Sequence, residues 1–165
     1  MTAQRFAANR FFLKDSIRDQ VDFSQTGQAL HKPAPPLQGE CDAAFPRTTL
    51  PDGQDALNRL AALPVASAII NRESVRSYSD ASLSLDELAA LLWAVQGVRR
   101  VAGPGTALRT VPSAGARHAF ETYLAVSRVD GLQAGIYRFL PFEQQLAQIH
   151  LNPNIAVVAG EACRG

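Results

Sequence analysis

Only two cysteines occur in the sequence, and no long apolar run interrupts its mixed composition. Cys41 and Cys163 lie far apart, without CxxC spacing or neighbouring histidines, so they predict free thiols in a reducing compartment. This pattern excludes a disulfide scaffold and a cysteine-based zinc site, and we expect no metal ligands. A secretory or membrane-spanning segment is not predicted either, because charged residues interrupt every candidate stretch. We therefore expect a cytoplasmic protein.

The net charge is also small, because 16 Lys and Arg residues oppose 15 Asp and Glu residues to give a formal charge of +1 at pH 7. No clustered basic run is longer than Arg99 and Arg100, so neither nucleic acid nor an anionic membrane surface is a predicted partner. A hydrophobic share of 47% with a charged share of 19% is typical of a folded chain. The expected partners are small molecules or proteins.

One short stretch, residues 110–121, combines a proline, a glycine and several polar side chains. Pro112 fixes its own φ and favours an extended residue before it, so the preceding element ends there. Ser113 is placed to cap a short helix, and Gly115 lets a flat ligand approach the backbone closely. The N–H groups of the first helical turn would attract an anionic oxygen. Taken alone, the Pro-Ser-x-Gly pattern is also typical of an ordinary loop-to-helix junction.

A second polar stretch contains Arg72, Ser74 and Arg76 at alternate positions. If this stretch is extended, residues two apart point to the same side, and two guanidinium groups converge with one hydroxyl. Arginine binds phosphate oxygens with two parallel hydrogen bonds, and the hydroxyl adds a donor. The pattern predicts an anion site, although such a run is also typical of a solvated surface.

Helices are predicted in the middle of the chain. Ser84 and Glu87 have capping-box spacing, and the apolar residues that follow keep helical spacing until Gly97 ends the element. A proline at its first turn predicts a helix over residues 65–71, and clustered Leu and Ala residues predict another over residues 55–63.

Strands are predicted in the last third of the chain, where β-prone runs occupy residues 122–127, 135–140 and 146–150 with turn residues between them. The glycine-rich residues 99–109 predict a flexible loop that would serve as a lid or substrate edge. Helices followed by a strand meander indicate an α+β fold.

The N-terminal third differs in composition from the rest. Residues 23–50 are rich in Pro, Gly and Thr and predict an extended wrapping linker. We therefore divide the chain into an N-terminal arm and Pro-rich linker, residues 1–50, and a folded domain, residues 51–165.

Taken together, the motifs resemble the FMN-dependent nitroreductase superfamily, specifically its SagB-type branch, which is related to enzymes that oxidise peptide thiazolines and oxazolines. The likeness runs faintly from about Phe12 and strongly from Leu50 to Leu146. The residues that carry it, in matching order and spacing, are 72–78, 91–98, 109–118, 121–123 and 135–138.

The resemblance implies a nitroreductase-like α+β fold, a three-layer α/β sandwich with an antiparallel meander, of which this chain corresponds to the N-terminal half, truncated at its C-terminal side. It implies bound FMN, with Arg72, Ser74 and Arg76 at the phosphate and ring oxygens. Pro112, Ser113, Ala114 and Gly115 would lie against the isoalloxazine ring. It also implies a homodimer and NAD(P)H or a small organic or peptide-derived substrate as hydride donor or acceptor.

Two further residues are candidates for proton transfer beside such a flavin. His118 and Glu121 would lie one helical turn apart on the predicted short helix and face the substrate. The alternatives are an ion pair between Arg117 and Glu121 at i,i+4 spacing and a structural hydrogen bond of His118 in the core.

The sequence departs from the azoline-oxidising relatives in one respect. Those enzymes use a lysine–tyrosine pair from the second half of the fold, whereas the only lysines here, Lys14 and Lys32, lie in the N-terminal arm. We therefore expect an FMN oxidoreductase that transfers a hydride through flavin N5. The alternative is a non-catalytic remnant or partner-binding module without stable flavin.

Overall fold

The computed structural model describes residues 6, 10–11, 13–60 and 63–163 of the 165. The chain forms two compact units, Met1–Pro35 and Pro36–Gly165. The described part of the first unit contains two short 3₁₀ helices, Asp15–Gln20 and Phe23–Gln25. The predicted division of the chain at residue 50 stays a prediction.

Within its described residues, the second unit contains four α-helices and six strands. In chain order they are β1 (Arg47–Thr49), α1 (Gly53–Leu60), α2 (Val65–Asn71), α3 (Leu85–Gln96), β2 (Val98–Gly103), β3 (Thr106–Arg109), β4 (Thr122–Val126), β5 (Gly135–Leu140), β6 (Gln145–Leu151) and α4 (Ile155–Ala162). None of the helices in the described ranges is long and apolar enough to cross a membrane.

The main sheet has the strand order β1-β6-β5-β4, and every neighbouring pair is antiparallel. The three predicted strands are confirmed as the meander β4, β5 and β6, and the α+β class is confirmed with them. β1 joins the free edge of β6 and was not predicted as a strand, because three residues carry too little pattern to be recognised locally.

Helix α3 has the predicted bounds and caps. The Ser84 Oγ accepts a hydrogen bond from the Glu87 N–H at 3.2 Å, and the Glu87 carboxylate accepts one from the Ser84 N–H at 2.8 Å. This reciprocal pair satisfies two N–H groups that the helix itself leaves free. Helix α2 spans the predicted residues 65–71, and α1 begins two residues before its predicted start. Residues 61–62, at the predicted end of α1, lie outside the described residues.

The core lies between α1, α3 and one face of the sheet. It joins Leu88 and Leu92 of α3 to Tyr137 and Phe139 of β5 and Leu146 of β6. Because side chains alternate along a strand, the residue between Tyr137 and Phe139 points to the other face of the sheet. That residue is Arg138, and both faces of β5 are buried.

Residues 98–109 are not the flexible loop that the sequence predicts, because β2 and β3 pair as an antiparallel hairpin. The glycine and proline residues that suggested a loop form the turn of this hairpin. Pro104 fixes its own φ and Gly105 has φ +68°, which is the combination that a tight turn with a left-handed third residue requires. The predicted loop is therefore wrong, whereas the role of this segment as a lid or substrate edge stays a prediction.

Candidate functional site

The predicted site stretch begins at the C-terminal end of α3. The Thr110 N–H donates to the Gly97 carbonyl at 2.9 Å, and the Thr110 hydroxyl donates to the Trp93 carbonyl at 2.8 Å. The Trp93 carbonyl also accepts from the Gly97 N–H at 2.8 Å, so the Thr110 hydroxyl adds a second bond there, and the Thr110 N–H provides a partner for the Gly97 carbonyl. This contact fixes the start of residues 110–118, which we call the site turn.

The site turn is not the short capped helix that the sequence predicts. Ser113 has an extended backbone and makes no side-chain cap, and only three residues, Ala114–Ala116, form a 3₁₀ turn. The Ser113 Oγ instead accepts a hydrogen bond from the His118 N–H at 2.8 Å, which closes the turn on itself. The helix cannot continue because Gly115, Ala116 and His118 have φ values of +62°, +52° and +47°.

The left-handed backbone makes this turn strained. Each left-handed residue other than glycine costs about 1–2 kcal/mol, and the site turn contains two of them, Ala116 and His118. Strained residues persist only where the surrounding structure holds them, and they concentrate at functional sites.

Two backbone donors are open in this turn. Within the described residues, the N–H groups of Ala114 and Gly115 have no hydrogen-bond partner, and both residues are exposed. A Cβ at Gly115 would meet only the Arg117 side chain, at 3.7 Å, so the space in front of this residue is open. Successive free N–H groups at a turn form a concavity that attracts electron-rich atoms.

The predicted anion cluster is exposed and follows α2 without regular secondary structure, so the alternation of its side chains stays a prediction beyond Arg72. Arg72 has φ −62° and ψ +120°, and all residues from 71 to 80 are exposed. The side chains of Arg72, Ser74 and Arg76 make no hydrogen bond or ion pair with any described residue. Their donors are therefore free for a ligand.

The structure does not join this cluster to the site turn. The segment that follows the cluster is held by Arg128, which contacts the Ser79 carbonyl and the Asp80 carboxylate, and it leads into the N-terminal end of α3. The site turn starts at the C-terminal end of the same helix. The 12 residues of α3 give a length of about 18 Å, so the two anchors lie at opposite ends of that helix.

His118 is half-buried beside Arg109. Burial lowers the pKa of the imidazole below its ordinary value of 6.5, the positive charge of Arg109 lowers it further, and a hydrogen bond with the Ala107 backbone opposes both effects. His118 is therefore mainly neutral at neutral pH. A neutral imidazole both accepts and donates a proton, which keeps it a candidate for proton transfer.

The predicted relation between His118 and Glu121 is wrong, because residues 117–121 do not form a helix. The alternative ion pair between Arg117 and Glu121 is wrong as well. Arg117 donates to the Gly105 carbonyl at 2.9 Å, whereas Glu121 pairs with Arg138 at 3.0 Å. The left-handed His118 turns the chain and separates the side chains that a helix would have aligned.

Two buried arginines near the site turn were not singled out as functional residues from the sequence. Arg109 is 8% exposed and Arg138 is 6% exposed. Arg109 donates to the Gln96 side chain at 2.9 Å and lies over the Phe142 ring at 5.5 Å from its centroid. The sequence pattern that could have identified them is a charged residue within or at the end of an otherwise apolar strand. Such a residue is buried with the strand, and a buried charge requires partners.

Both arginines bind the backbone of residues 37–40, which we call the strap. Arg109 donates to the Leu37 carbonyl at 3.0 Å, and Arg138 donates to the Gly39 and Glu40 carbonyls at 2.7 and 2.6 Å. The strap thus covers the face of the sheet opposite the hydrophobic core. Burial lowers the pKa of Arg109, and the nearby Glu121 charge opposes this effect.

Two cavities of the second unit are lined by described residues other than the predicted site residues. An apolar groove of about 490 Å³ is lined by α1 and α3 residues such as Leu57 and Leu91. A polar cavity of about 430 Å³ is lined by strap residues together with Arg47 and Glu143. Neither is lined by a predicted flavin-binding residue.

Comparison with a family model identifies the family of this chain. Residues 69–161, more than half of the chain, match the model described as "Nitroreductase family". A protein of Methanocaldococcus jannaschii named "Putative nitroreductase MJ1384" is 36% identical over 87 residues, which make up 53% of this chain and 42% of that protein. A crystal structure of a protein titled a "putative nitroreductase" from Anabaena variabilis has a TM-score of 0.45 and 22% identity, covering 71% of this chain and 26% of that one. The chain therefore spans less than half the length of either relative.

Proposed function

Because the chain belongs to the nitroreductase family, we propose that it binds FMN and provides part of a flavin-dependent oxidoreductase of the SagB type. The observation that carries this proposal is the open pair of N–H groups at Ala114 and Gly115 in a strained turn. A flat ring with electron-rich atoms at its edge is the kind of ligand that such a backbone accepts without hindrance from side chains.

The chemistry of the proposed cofactor residues fits FMN. The phosphate needs several donors with positive charge, and Arg72 and Arg76 supply two guanidinium groups with Ser74 between them. These three side chains have no other partner within the described ranges, so binding would break no existing interaction. Pro112, Ser113, Ala114 and Gly115 would hold the ring. When bound, the flavin would supply two-electron hydride chemistry at its N5 atom.

His118 is the proposed proton carrier of this site. Its lowered pKa keeps the imidazole neutral near pH 7, so it has one nitrogen free to accept a proton from a substrate. The hydrogen bond from its own N–H to Ser113 fixes its backbone next to the open donors. Glu121 was predicted as a second proton carrier, and that role stays a prediction. Each of its carboxylate oxygens already has a partner, the Gly39 N–H or the Arg138 guanidinium.

We propose NAD(P)H as electron donor and a small organic or peptide-derived molecule as substrate. The absence of a lysine outside the N-terminal arm argues against the proton-abstracting lysine–tyrosine pair of azoline oxidation within this chain. The proposed SagB-type assignment therefore rests on the order of the sequence motifs and does not identify the substrate.

We also propose a homodimer, because one helix carries a large exposed apolar surface. On α2, Val65, Ile69 and Ile70 are 75%, 72% and 80% exposed. An apolar patch of this kind on a folded chain is typical of an interface. A second copy would cover α2 and complete the surroundings of the flavin.

The direct test is reconstitution of the purified chain with excess FMN, followed by desalting and an absorbance spectrum. We expect the visible flavin bands to stay with the protein. Protein that emerges without flavin would contradict the proposal and favour the alternative of a non-catalytic remnant or partner-binding module. A His118→Asn variant is the control for binding, since the imidazole is proposed to transfer protons and not to hold the cofactor.

A further inference from the structure

The strap contacts the chain just before and just after the site turn. Before the turn, Arg109 donates to the Leu37 carbonyl at 3.0 Å. After the turn, the Glu121 carboxylate accepts a hydrogen bond from the Gly39 N–H at 2.7 Å. The two contacted strap residues are two positions apart, and two residues span at most about 7 Å. The strap therefore brings the two flanks of the site turn close together.

Arg138 of β5 also binds this strap. It donates to the Gly39 and Glu40 carbonyls and pairs with Glu121 at 3.0 Å. The register of the sheet explains the pair. Tyr123 of β4 lies opposite Arg138, so Glu121, two residues earlier and directly before β4, is its diagonal neighbour.

The Glu121 carboxylate is the negative charge that acts on the two buried arginines. Arg109 and Arg138 are both buried, and the negative charge of Glu121 acts on both of them. A buried guanidinium without a counter-charge is costly. Glu121 therefore stabilises Arg138 by a direct ion pair, places a negative charge near Arg109, and binds the strap directly through the Gly39 N–H.

We infer that Glu121 is a positioning residue, which, with Arg109 and Arg138, fixes the site turn by holding both of its flanks to the strap. Its effect on flavin binding rests on the proposed function, whereas its effect on the turn does not. Two residues of the turn are also held from outside it, Thr110 by the end of α3 and Arg117 by the Gly105 carbonyl. The only internal side-chain bond of the turn joins Ser113 to His118 among the described residues, and its left-handed residues oppose the closed form.

Release of either flank would let the turn relax into several conformations. The open N–H groups of Ala114 and Gly115 would then no longer be preorganised for a ligand. Opening would remain local, since α3 is held by its own capping box and by core contacts that do not include Glu121.

The test is amide hydrogen exchange, followed by mass spectrometry, of Glu121→Ala and Glu121→Gln in the complete chain without flavin. Removal of a charge-assisted hydrogen bond should speed exchange in residues 110–120 about tenfold in Glu121→Ala, while exchange in α3 stays unchanged. Glu121→Gln keeps an oxygen for the Gly39 N–H and should have a smaller effect. Asp80→Ala removes an exposed ion pair with Arg128 and is the matched control, with no change expected in residues 110–120.

The outcomes separate this inference from the proposed function. Unchanged exchange of residues 110–120 in both Glu121 variants would overturn the inference, and so would equal acceleration in α3, which would indicate general destabilisation. If the wild-type chain binds FMN, we expect Glu121→Ala to weaken it in parallel with the faster exchange. Weaker binding with unchanged exchange would mean that Glu121 acts on the ligand itself, which also contradicts the inference. If wild-type protein binds no FMN, the exchange results alone decide.

Discussion

Replacement of Gly115 by alanine should separate the role of the site turn in binding from its role in folding. Gly115 has φ +62°, and a Cβ added there would meet only the Arg117 side chain at 3.7 Å. Alanine would therefore cause no clash and would cost about 1–2 kcal/mol of folding free energy through its left-handed backbone. The new methyl group would, however, occupy the open space in which we place the flavin ring.

Gly131 provides a matched control in the turn between β4 and β5. Its φ is +81°, and its nearest neighbour is the Leu85 Cδ1 at 3.8 Å, so Gly131→Ala should destabilise the fold by a similar amount. Urea unfolding would compare the two stabilities, and quenching of FMN fluorescence would compare the affinities. We expect Gly115→Ala to weaken FMN about tenfold or more, which corresponds to about 1.4 kcal/mol, and Gly131→Ala to leave it unchanged. Wild-type affinity in Gly115→Ala would refute the placement of the ring.

Two other predictions concern protonation and assembly. Burial and the charge of Arg109 lower the pKa of His118, so His118 binds fewer protons in the folded than in the unfolded state. Its contribution to stability is therefore lost as the pH falls from about 6.5 through the folded pKa. His118→Asn keeps a residue that tolerates positive φ, and its urea midpoint should fall less between about pH 7.5 and about pH 5.5 than that of the wild type. An identical fall would contradict the pKa argument. Ile70 lies on the exposed apolar face of α2, and Ile70→Glu should halve the mass measured by light scattering. Val157 on α4 is 60% exposed, and Val157→Glu should leave the dimer mass unchanged. A wild-type species of monomer mass would contradict the proposed dimer.

The sequence predicted the elements whose signals are local. The Ser84–Glu87 capping box, the proline before α2 and the β-prone runs of the meander each act within a few residues, and the structure confirms them. The family is confirmed by the match of residues 69–161, and the nitroreductase-like fold with it. The SagB-type branch, FMN and the individual site residues stay proposals.

Features that depend on distant residues could not be predicted. Arg109 binds Leu37, 72 positions away, and Glu121 binds Gly39, 82 positions away, so no window of the sequence contains both partners. The site turn was predicted as a short helix because Ser113 directly after Pro112 is typical of a helix N-cap. The left-handed φ values of Ala116 and His118, and the hydrogen bond from the His118 N–H to the Ser113 Oγ, carry no signal in that local pattern.

The most direct test of the flavin site compares FMN affinity in single alanine variants of four arginines. Arg72 and Arg76 belong to the proposed phosphate cluster, while Arg99 and Arg100 are exposed arginines of β2 that serve as controls. Loss of a charge-assisted contact costs about 1.5–3 kcal/mol, so Arg72→Ala and Arg76→Ala should each weaken FMN about tenfold or more, and the two β2 variants should stay close to wild type. Equal losses at all four positions would mean general electrostatic attraction and would contradict a specific phosphate site at residues 72–76.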